Sequence, residues 1–218
     1  MPVLVRVEDI NGAVQPGRFL NAKDLGSKEE GADFQTVLID EVTNEIVIPN
    51  GTMGDRHTNP QKWNLRLENR DTGAKIDPRL SVFDQREDVT VVKLPYFGDE
   101  EHEGVIERAI PTITVQTVDG PVKVTTVYDL ILANYGIDRG IGGEVAKAYT
   151  DDTPYTPTWQ EKITGVKADI AIATAREFAD NAEKTKGRSM IIMGGGINHW
   201  YDADIIYRTI LNLIMFCG

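Results

Sequence analysis

The first 127 residues alternate apolar and polar positions in short runs that are separated by turn-forming residues. This two-residue period is typical of half-buried β-strands, and Asn-Gly or Asp-Gly between two runs is typical of hairpins. The pattern predicts hairpins over residues 3–7 with 13–20, over FQTVLID with NEIVIPNG and over TITVQTVDGPVKVTTVYDLIL, and single strands in WNLRLENRDTG and DVTVVKLPYFG. We therefore expect a β-rich, loop-rich region over residues 1–124.

The hydrophobic period changes to that of helices near Thr125. Threonine before the apolar residues, proline in a first turn and glycine at an end are helix boundary signals. These signals and the helical spacing predict four helices, in TTVYDLILANYG, in TPTWQEKITGV, over residues 169–182 and over residues 202–216. A strand is predicted over residues 188–193. Residues 125–218 are thus predicted to form an α/β segment, and the fold class is α/β, or α+β over the whole chain.

The segment SMIIMGGGINHWYDAD joins the predicted strand to the last helix through three consecutive glycines. At such a junction the backbone N–H groups can approach a phosphate or a dinucleotide, because glycine has no side chain in the way. The spacing is not G-x-G-x-x-G, since His199 stands where the third glycine would fall. A sharp turn between strand and helix also explains the glycines and is the interpretation that local sequence favours.

Polar side chains that could contact a ligand follow these glycines. Asn198 carries both amide donors and an acceptor, and the imidazole of His199 can donate to an anion or to a cofactor edge. Trp200 and Tyr201 are expected to pack against other residues. The candidate cofactor-binding residues are therefore Gly194, Gly195, Gly196, Asn198 and His199, of which His199 is also the candidate catalytic residue, and no metal ligand is assigned.

Composition and charge exclude several classes of function and several kinds of site. The net charge of −11 is spread along the 218 residues and argues against nucleic-acid binding, which relies on Lys and Arg to neutralise phosphates. The single cysteine, Cys217, excludes an internal disulfide and a cysteine-clustered metal site built from this chain alone. No stretch is long and apolar enough to predict a membrane span. His57 and His102 stand in polar or acidic sequence and are expected in solvated loops.

Five blocks of sequence carry a family resemblance. They are TTVYDLILANYGIDRG, YTPTWQEKITGV, AREFADNAEKTKGRSMIIMGGGINHWYDADIIYRTILNLIMFCG and, more loosely, MPVLVRVED and PNGTMGDR with KWNL. Together they resemble the α (catalytic) subunit of respiratory nitrate reductases and the closely related nitrite oxidoreductase α subunit, which are molybdopterin oxidoreductases. The resemblance extends over essentially the whole chain, is strongest over residues 125–218, and implies an internal fragment of a longer subunit and of a larger fold.

This resemblance implies a bis-molybdopterin guanine dinucleotide cofactor that carries molybdenum, and a 4Fe-4S cluster whose ligands are not in this chain. It gives Gly194, Gly195 and Gly196 the role of letting the dinucleotide approach. His199 would donate hydrogen bonds to the pterin or to the substrate oxyanion. At Asp202 the family often has a second histidine, so only His199 is carried over.

The resemblance also implies the substrates and partners of the complete enzyme. Nitrate would be reduced to nitrite, with electrons arriving from an iron–sulfur beta subunit and a membrane cytochrome subunit. The enzyme would be membrane-associated through these partners, on the cytoplasmic face or alternatively on the extracytoplasmic face. Two other functions stay open: oxidation of nitrite to nitrate, and a non-catalytic acidic scaffold module in which the glycines form only a turn. The fragment alone is expected to be inactive.

Overall fold

The computed structural model describes residues 1–51, 66–96 and 104–217, which form two compact units that divide between Lys147 and Ala148. The first unit contains strands β1 (Leu4–Ile10), β2 (Ala13–Phe19), β3 (Leu38–Ile39), β4 (Ile46–Val47), β5 (Pro49–Asn50), β6 (Arg66–Asn69), β7 (Asp88–Pro95), β8 (Val105–Thr117) and β9 (Gly120–Thr126), and helix α1 (Val127–Asn134). The second unit contains helices α2 (Pro157–Thr164), α3 (Ala168–Thr185), α4 (Gly195–Asn198) and α5 (Ala203–Cys217). Helices and strands are mixed, as the predicted α/β class requires.

The predicted hairpins are present as antiparallel strand pairs. Strands β1 and β2 pair around Asn11 and Gly12, whose φ angles of 57° and 81° are those of a type I′ turn. The carboxylate of Asp9 accepts a hydrogen bond of 2.7 Å from the backbone N–H of Gly12 and supports this turn. Strands β3 and β4 form the second hairpin, and β8 and β9 form the third with Asp119 and Gly120 at its bend. The loop histidines His57 and His102 lie outside the described residues.

A five-stranded antiparallel sheet organises the first unit. Its strand order is β2-β1-β9-β8-β7, and the two outer strands β2 and β7 also contact each other, so the sheet is curled. Helix α1 packs on β8 and β9. The described core includes a small buried cluster of Leu38, Val47 and Ile76 and a larger one, namely Leu4, Leu20, Ala22, Ala32, Val37, Ile39, Ile48, Val82, Val115 and Val124. The division into a region of residues 1–124 and a segment of residues 125–218, which the sequence suggests, stays a prediction.

The four predicted helices are present, and two of them begin and end at the expected residues. The hydroxyl oxygen of Thr126 accepts the backbone N–H of Asp129 at the start of α1, and Thr156 does the same for Trp159 at the start of α2. Helix α2 ends at Gly165, whose φ of 74° lies in the left-handed region that glycine adopts without strain. Within the three described ranges, no helix is long and apolar enough to cross a membrane.

The predicted strand over residues 188–193 is wrong. This segment is irregular, and Met190 and Ile192 are 77% and 85% exposed. Its start is tied to α3, because the hydroxyl of Ser189 donates to the carbonyl of Phe178 at 3.1 Å. A strand also needs a neighbour for its backbone groups, and none of the described residues pairs with this segment.

The buried carboxylate of Asp24 links the segment after β2 to strands β1 and β2 through hydrogen bonds. Asp24 accepts hydrogen bonds from Arg18 at 2.7 Å, from the backbone N–H of Asn21 at 3.0 Å and from Arg6 at 3.3 Å. Burial opposes ionisation of Asp24, but the hydrogen bonds from Arg18 and Asn21 and the two guanidinium charges outweigh it. The pKa of Asp24 is therefore lowered from its ordinary value of 3.8.

This lowered pKa predicts a pH-dependent contribution to stability. The unfolded chain binds a proton on Asp24 more readily than the folded chain, so the stabilisation is present above pH 3.8 and is lost as the pH falls through the lower folded pKa. We expect Asp24→Asn to lower the free energy of unfolding by about 1 to 3 kcal/mol near neutral pH. Urea denaturation at several values from about pH 7 to about pH 2.5 measures the free energy of unfolding of both proteins. A difference between Asp24→Asn and wild type that does not shrink in acid contradicts the prediction.

Candidate cofactor site

The glycine segment forms a series of tight turns that leads into α5. Gly194 is extended, with φ −146° and ψ −164°, and the next four residues form the single turn of α4. The backbone N–H of Trp200 then donates to the carbonyl of Ile197 at 3.1 Å, and that of Ala203 donates to Trp200 at 3.2 Å. These bonds fix the path of the backbone from the glycines to α5.

Nothing within the described chain explains why three glycines stand here. None of Gly194, Gly195 and Gly196 has a φ in the left-handed region, so their backbone angles are open to other residues. A Cβ atom added at any of the three would meet no atom of residues 1–51, 66–96 and 104–217 within 4 Å. The glycines instead leave an open stretch of backbone that another molecule or segment can approach closely.

The two polar candidates adjoin this open backbone and are both exposed. Asn198 ends α4, and the hydroxyl of Tyr207 on α5 donates a hydrogen bond to its Oδ1. His199 follows directly, with φ −94° and ψ 2°, and its imidazole makes no hydrogen bond or ion pair with any residue that the structure describes. The structure thus brings the five candidate residues together on one accessible segment.

The aromatic neighbours do not pack as expected. Trp200 is 71% exposed and Tyr201 is 99% exposed, so neither is covered by the described residues. Together with Met190 and Ile192 they make the surroundings of the glycines apolar as well as open. Ligand pockets are lined mostly by apolar side chains with a few polar groups that orient the ligand, and this segment offers side chains of both kinds.

Two cavities of the described chain lie away from the glycine segment. One, of about 10 Å³, adjoins Arg108, Asp129 and Arg139 and has room for about one water molecule. The other is an open depression of about 430 Å³ beside Lys23 and Lys28. Among the described residues, no group of three or more His, Cys, Asp or Glu side chains is arranged to hold a metal ion.

Sequence patterns alone missed two polar features. Asp129 is buried on α1, where a carboxylate three residues after the capping Thr126 could have been identified as part of the cap. The contact of Tyr207 with Asn198 had no signal in the sequence, because a separation of nine residues belongs to neither the helix nor the strand period.

Comparison with known proteins relates the chain to one group of enzymes. No family model matches it. The chain is 46% identical over 217 residues to the nitrate reductase alpha chain of Bacillus subtilis (strain 168) and 43% identical over 231 residues to the respiratory nitrate reductase 1 alpha chain of Escherichia coli (strain K12). Each match covers 100% of this chain and 18% of the relative. A shorter match, 43% identical over 63 residues and covering 29% of this chain and 6% of the relative, is to the perchlorate reductase subunit alpha of Dechloromonas aromatica (strain RCB).

These matches define the class first: the chain is homologous to alpha subunits of oxidoreductases. More particularly, it is homologous along its whole length to a segment of nitrate reductase alpha chains, which confirms the resemblance seen in the sequence blocks. The chain spans 18% of the length of these relatives. What the complete protein does is therefore inferred from the site and from this homology together.

Proposed function

We propose that the chain is part of the catalytic alpha subunit of a respiratory nitrate reductase, and that residues 194–199 form one wall of its molybdenum cofactor site. The observation that carries the proposal is the three glycines, because their backbone angles and their surroundings in the described part of the chain do not require glycine. Close approach of a bound group is a reason for the missing side chains, and homology to nitrate reductase alpha chains supports a redox cofactor as that group.

The group is a bis-molybdopterin guanine dinucleotide. When bound, it supplies the redox chemistry that converts nitrate to nitrite. The open backbone of Gly194, Gly195 and Gly196 admits the dinucleotide, and Asn198 and His199 offer polar contacts to its phosphates, to the pterin or to the nitrate oxyanion. The work of these residues is to bind and orient, with a hydrogen bond from His199 at the site of negative charge.

The same homology supports a proposal for the surrounding complex. We propose a 4Fe-4S cluster held by residues outside this chain, an iron–sulfur beta subunit and a membrane cytochrome subunit that anchors the enzyme on the cytoplasmic face. Oxidation of nitrite at the same site would use the same contacts, because the direction depends on electron partners rather than on residues 194–199. Assay of the complete enzyme in both directions distinguishes the two.

Gly195→Ala in the full-length alpha subunit tests the cofactor wall. Its Cβ meets no atom of the described residues within 4 Å, and alanine favours helical backbone more than glycine does, so the thermal stability of the apoprotein should not fall. Cofactor content should fall on the order of tenfold, because an added methyl group where a ligand packs closely must displace it. The measurement is molybdenum and guanine nucleotide per subunit.

Gly73→Ala is the matched control. Its Cβ also meets nothing within 4 Å, but φ at Gly73 is +71°, where an alanine side chain is strained. This variant should lose about 1 to 2 kcal/mol of stability and keep its cofactor. Unchanged molybdenum content in the Gly195→Ala enzyme would contradict the proposed wall and favour a simple turn.

A further inference from the structure

A hydrogen bond couples the glycine segment to the long helix that follows it. The hydroxyl of Tyr207 donates to Oδ1 of Asn198, nine residues earlier in the chain. The chain reverses between them through the turns at Trp200 and Ala203, and α4 and α5 are in contact. Tyr207 is thus held on a fifteen-residue helix while Asn198 stands at the end of a single turn.

This contact decides which side of the Asn198 amide faces outward. A carboxamide has an acceptor oxygen on one side and a donor NH2 group on the other, and a half-turn exchanges them. With Oδ1 bound by the Tyr207 hydroxyl, the Nδ2 group is the free end of the amide, and it donates to no residue that the structure describes. The exposed end of Asn198 is therefore a hydrogen-bond donor.

We propose that Tyr207 is a positioning residue that holds Asn198 with its Nδ2 group toward an anionic oxygen of the bound ligand. This inference rests on the proposed function and adds the residue that orients one of its contacts. The shared ligand chemistry is an anionic oxygen, which both the pyrophosphate of the dinucleotide and the nitrate oxyanion provide. Because the Asn198 amide is already ordered before the ligand binds, binding does not have to meet the entropy cost of ordering it, and the affinity for the ligand is higher.

A double-mutant cycle in the full-length holoenzyme tests this role. The variants are Tyr207→Phe, Asn198→Ala and the two together, with Thr209→Ala as the control because the Thr209 hydroxyl donates to the Ile205 carbonyl of its own helix at 2.9 Å. For each we measure molybdenum and guanine nucleotide per subunit, KM for nitrate, kcat per molybdenum and the thermal stability. Tyr207→Phe removes only the hydroxyl, so the helix keeps its packing.

We expect Tyr207→Phe to lower cofactor content or raise KM for nitrate about three- to tenfold, the range for one oriented hydrogen bond. Asn198→Ala should lose at least as much, and adding Tyr207→Phe to it should change nothing further, because Tyr207 acts only through the Asn198 amide. A loss of cofactor identifies the phosphate as the ligand oxygen. A raised KM at full cofactor content identifies nitrate.

Asn198→Asp separates positioning from a merely structural contact. It keeps an acceptor for the Tyr207 hydroxyl but replaces the donor with a second anionic oxygen, so the proposal predicts a larger loss than for Asn198→Ala. Wild-type content and KM in Asn198→Asp overturn the inference. The inference is also overturned if Asn198→Ala loses cofactor content or nitrate affinity while Tyr207→Phe does not, or if the losses of the two variants add in the double variant. Either of these two results leaves the proposed function standing. If Gly195→Ala and Asn198→Ala both behave as wild type, the proposed function itself has failed.

Discussion

Asp129→Ala should destabilise the first unit by about 3 to 5 kcal/mol, the range for removing one partner of a buried ion pair. The side chain of Asp129 is fully buried, and its carboxylate pairs with Arg139 at 2.5 Å. It also accepts hydrogen bonds from the hydroxyl of Ser81 at 2.6 Å and from the backbone N–H of Val82 at 3.0 Å. One carboxylate therefore joins α1 to a segment 47 to 48 residues earlier in the chain and to an arginine ten residues later.

The size of the loss follows from what the substitution leaves behind. Arg139 is only 16% exposed at its side chain, and without Asp129 its charge would have Ser81 as a neutral partner at 2.9 Å. The N–H of Val82, in the apolar core, would lose its acceptor. A buried charge without a counter-charge and a buried donor without an acceptor cost more than the original hydrogen bonds contributed.

Urea denaturation of the 218-residue chain measures this loss as a lower midpoint with an unchanged slope. Asp129→Asn should lie between wild type and Asp129→Ala, because an amide oxygen can keep one acceptor role but not the charge. Asp88→Asn is the control, since Asp88 forms a 2.5 Å ion pair with Lys123 that is exposed and should contribute little. Equal losses in Asp88→Asn and Asp129→Ala would show that burial is not the cause.

Local sequence determined the hairpins and helix ends because their causes are local. Asn11 and Gly12 take positive φ angles that few residues accept, and Thr126 caps α1 through a bond to a residue three positions away. The buried pairing of Asp129 with Ser81 and Val82 is not local, because their separations of 48 and 47 residues leave no periodic signal. Long-range polar networks of this kind become visible only in three dimensions.

Over residues 188–193, by contrast, a local apolar pattern predicted a strand that the structure does not form. Its apolar run met the expectation for a buried strand, but a run of this length carries no information about which segment will pair with it. The described residues supply no such segment, and Met190 and Ile192 stay exposed. For the candidate site, the positions of Gly194 to His199 were predictable from the sequence, while the contact of Asn198 with Tyr207 was not.

His199→Ala in the full-length enzyme should lower nitrate turnover per molybdenum by about a hundredfold, the effect of removing one well-placed donor to developing negative charge. The imidazole is exposed beside the open glycine backbone and makes no hydrogen bond or ion pair with the described part of the chain, so it is available to a ligand. Measuring kcat per molybdenum separates a loss of chemistry from a loss of cofactor.

His199→Gln distinguishes the hydrogen bond from the presence of the ring. Glutamine keeps an N–H donor of similar reach, so it should recover much of the turnover that alanine loses if donation to the oxyanion or pterin is the function of His199. Thr209→Ala on α5 controls for general damage to the second unit. Turnover and molybdenum content that both equal wild type in His199→Ala would remove His199 from the site and leave the glycines as a cofactor wall without a catalytic residue. Loss of cofactor alone, with turnover per molybdenum preserved, would instead make His199 a binding residue for the dinucleotide or pterin.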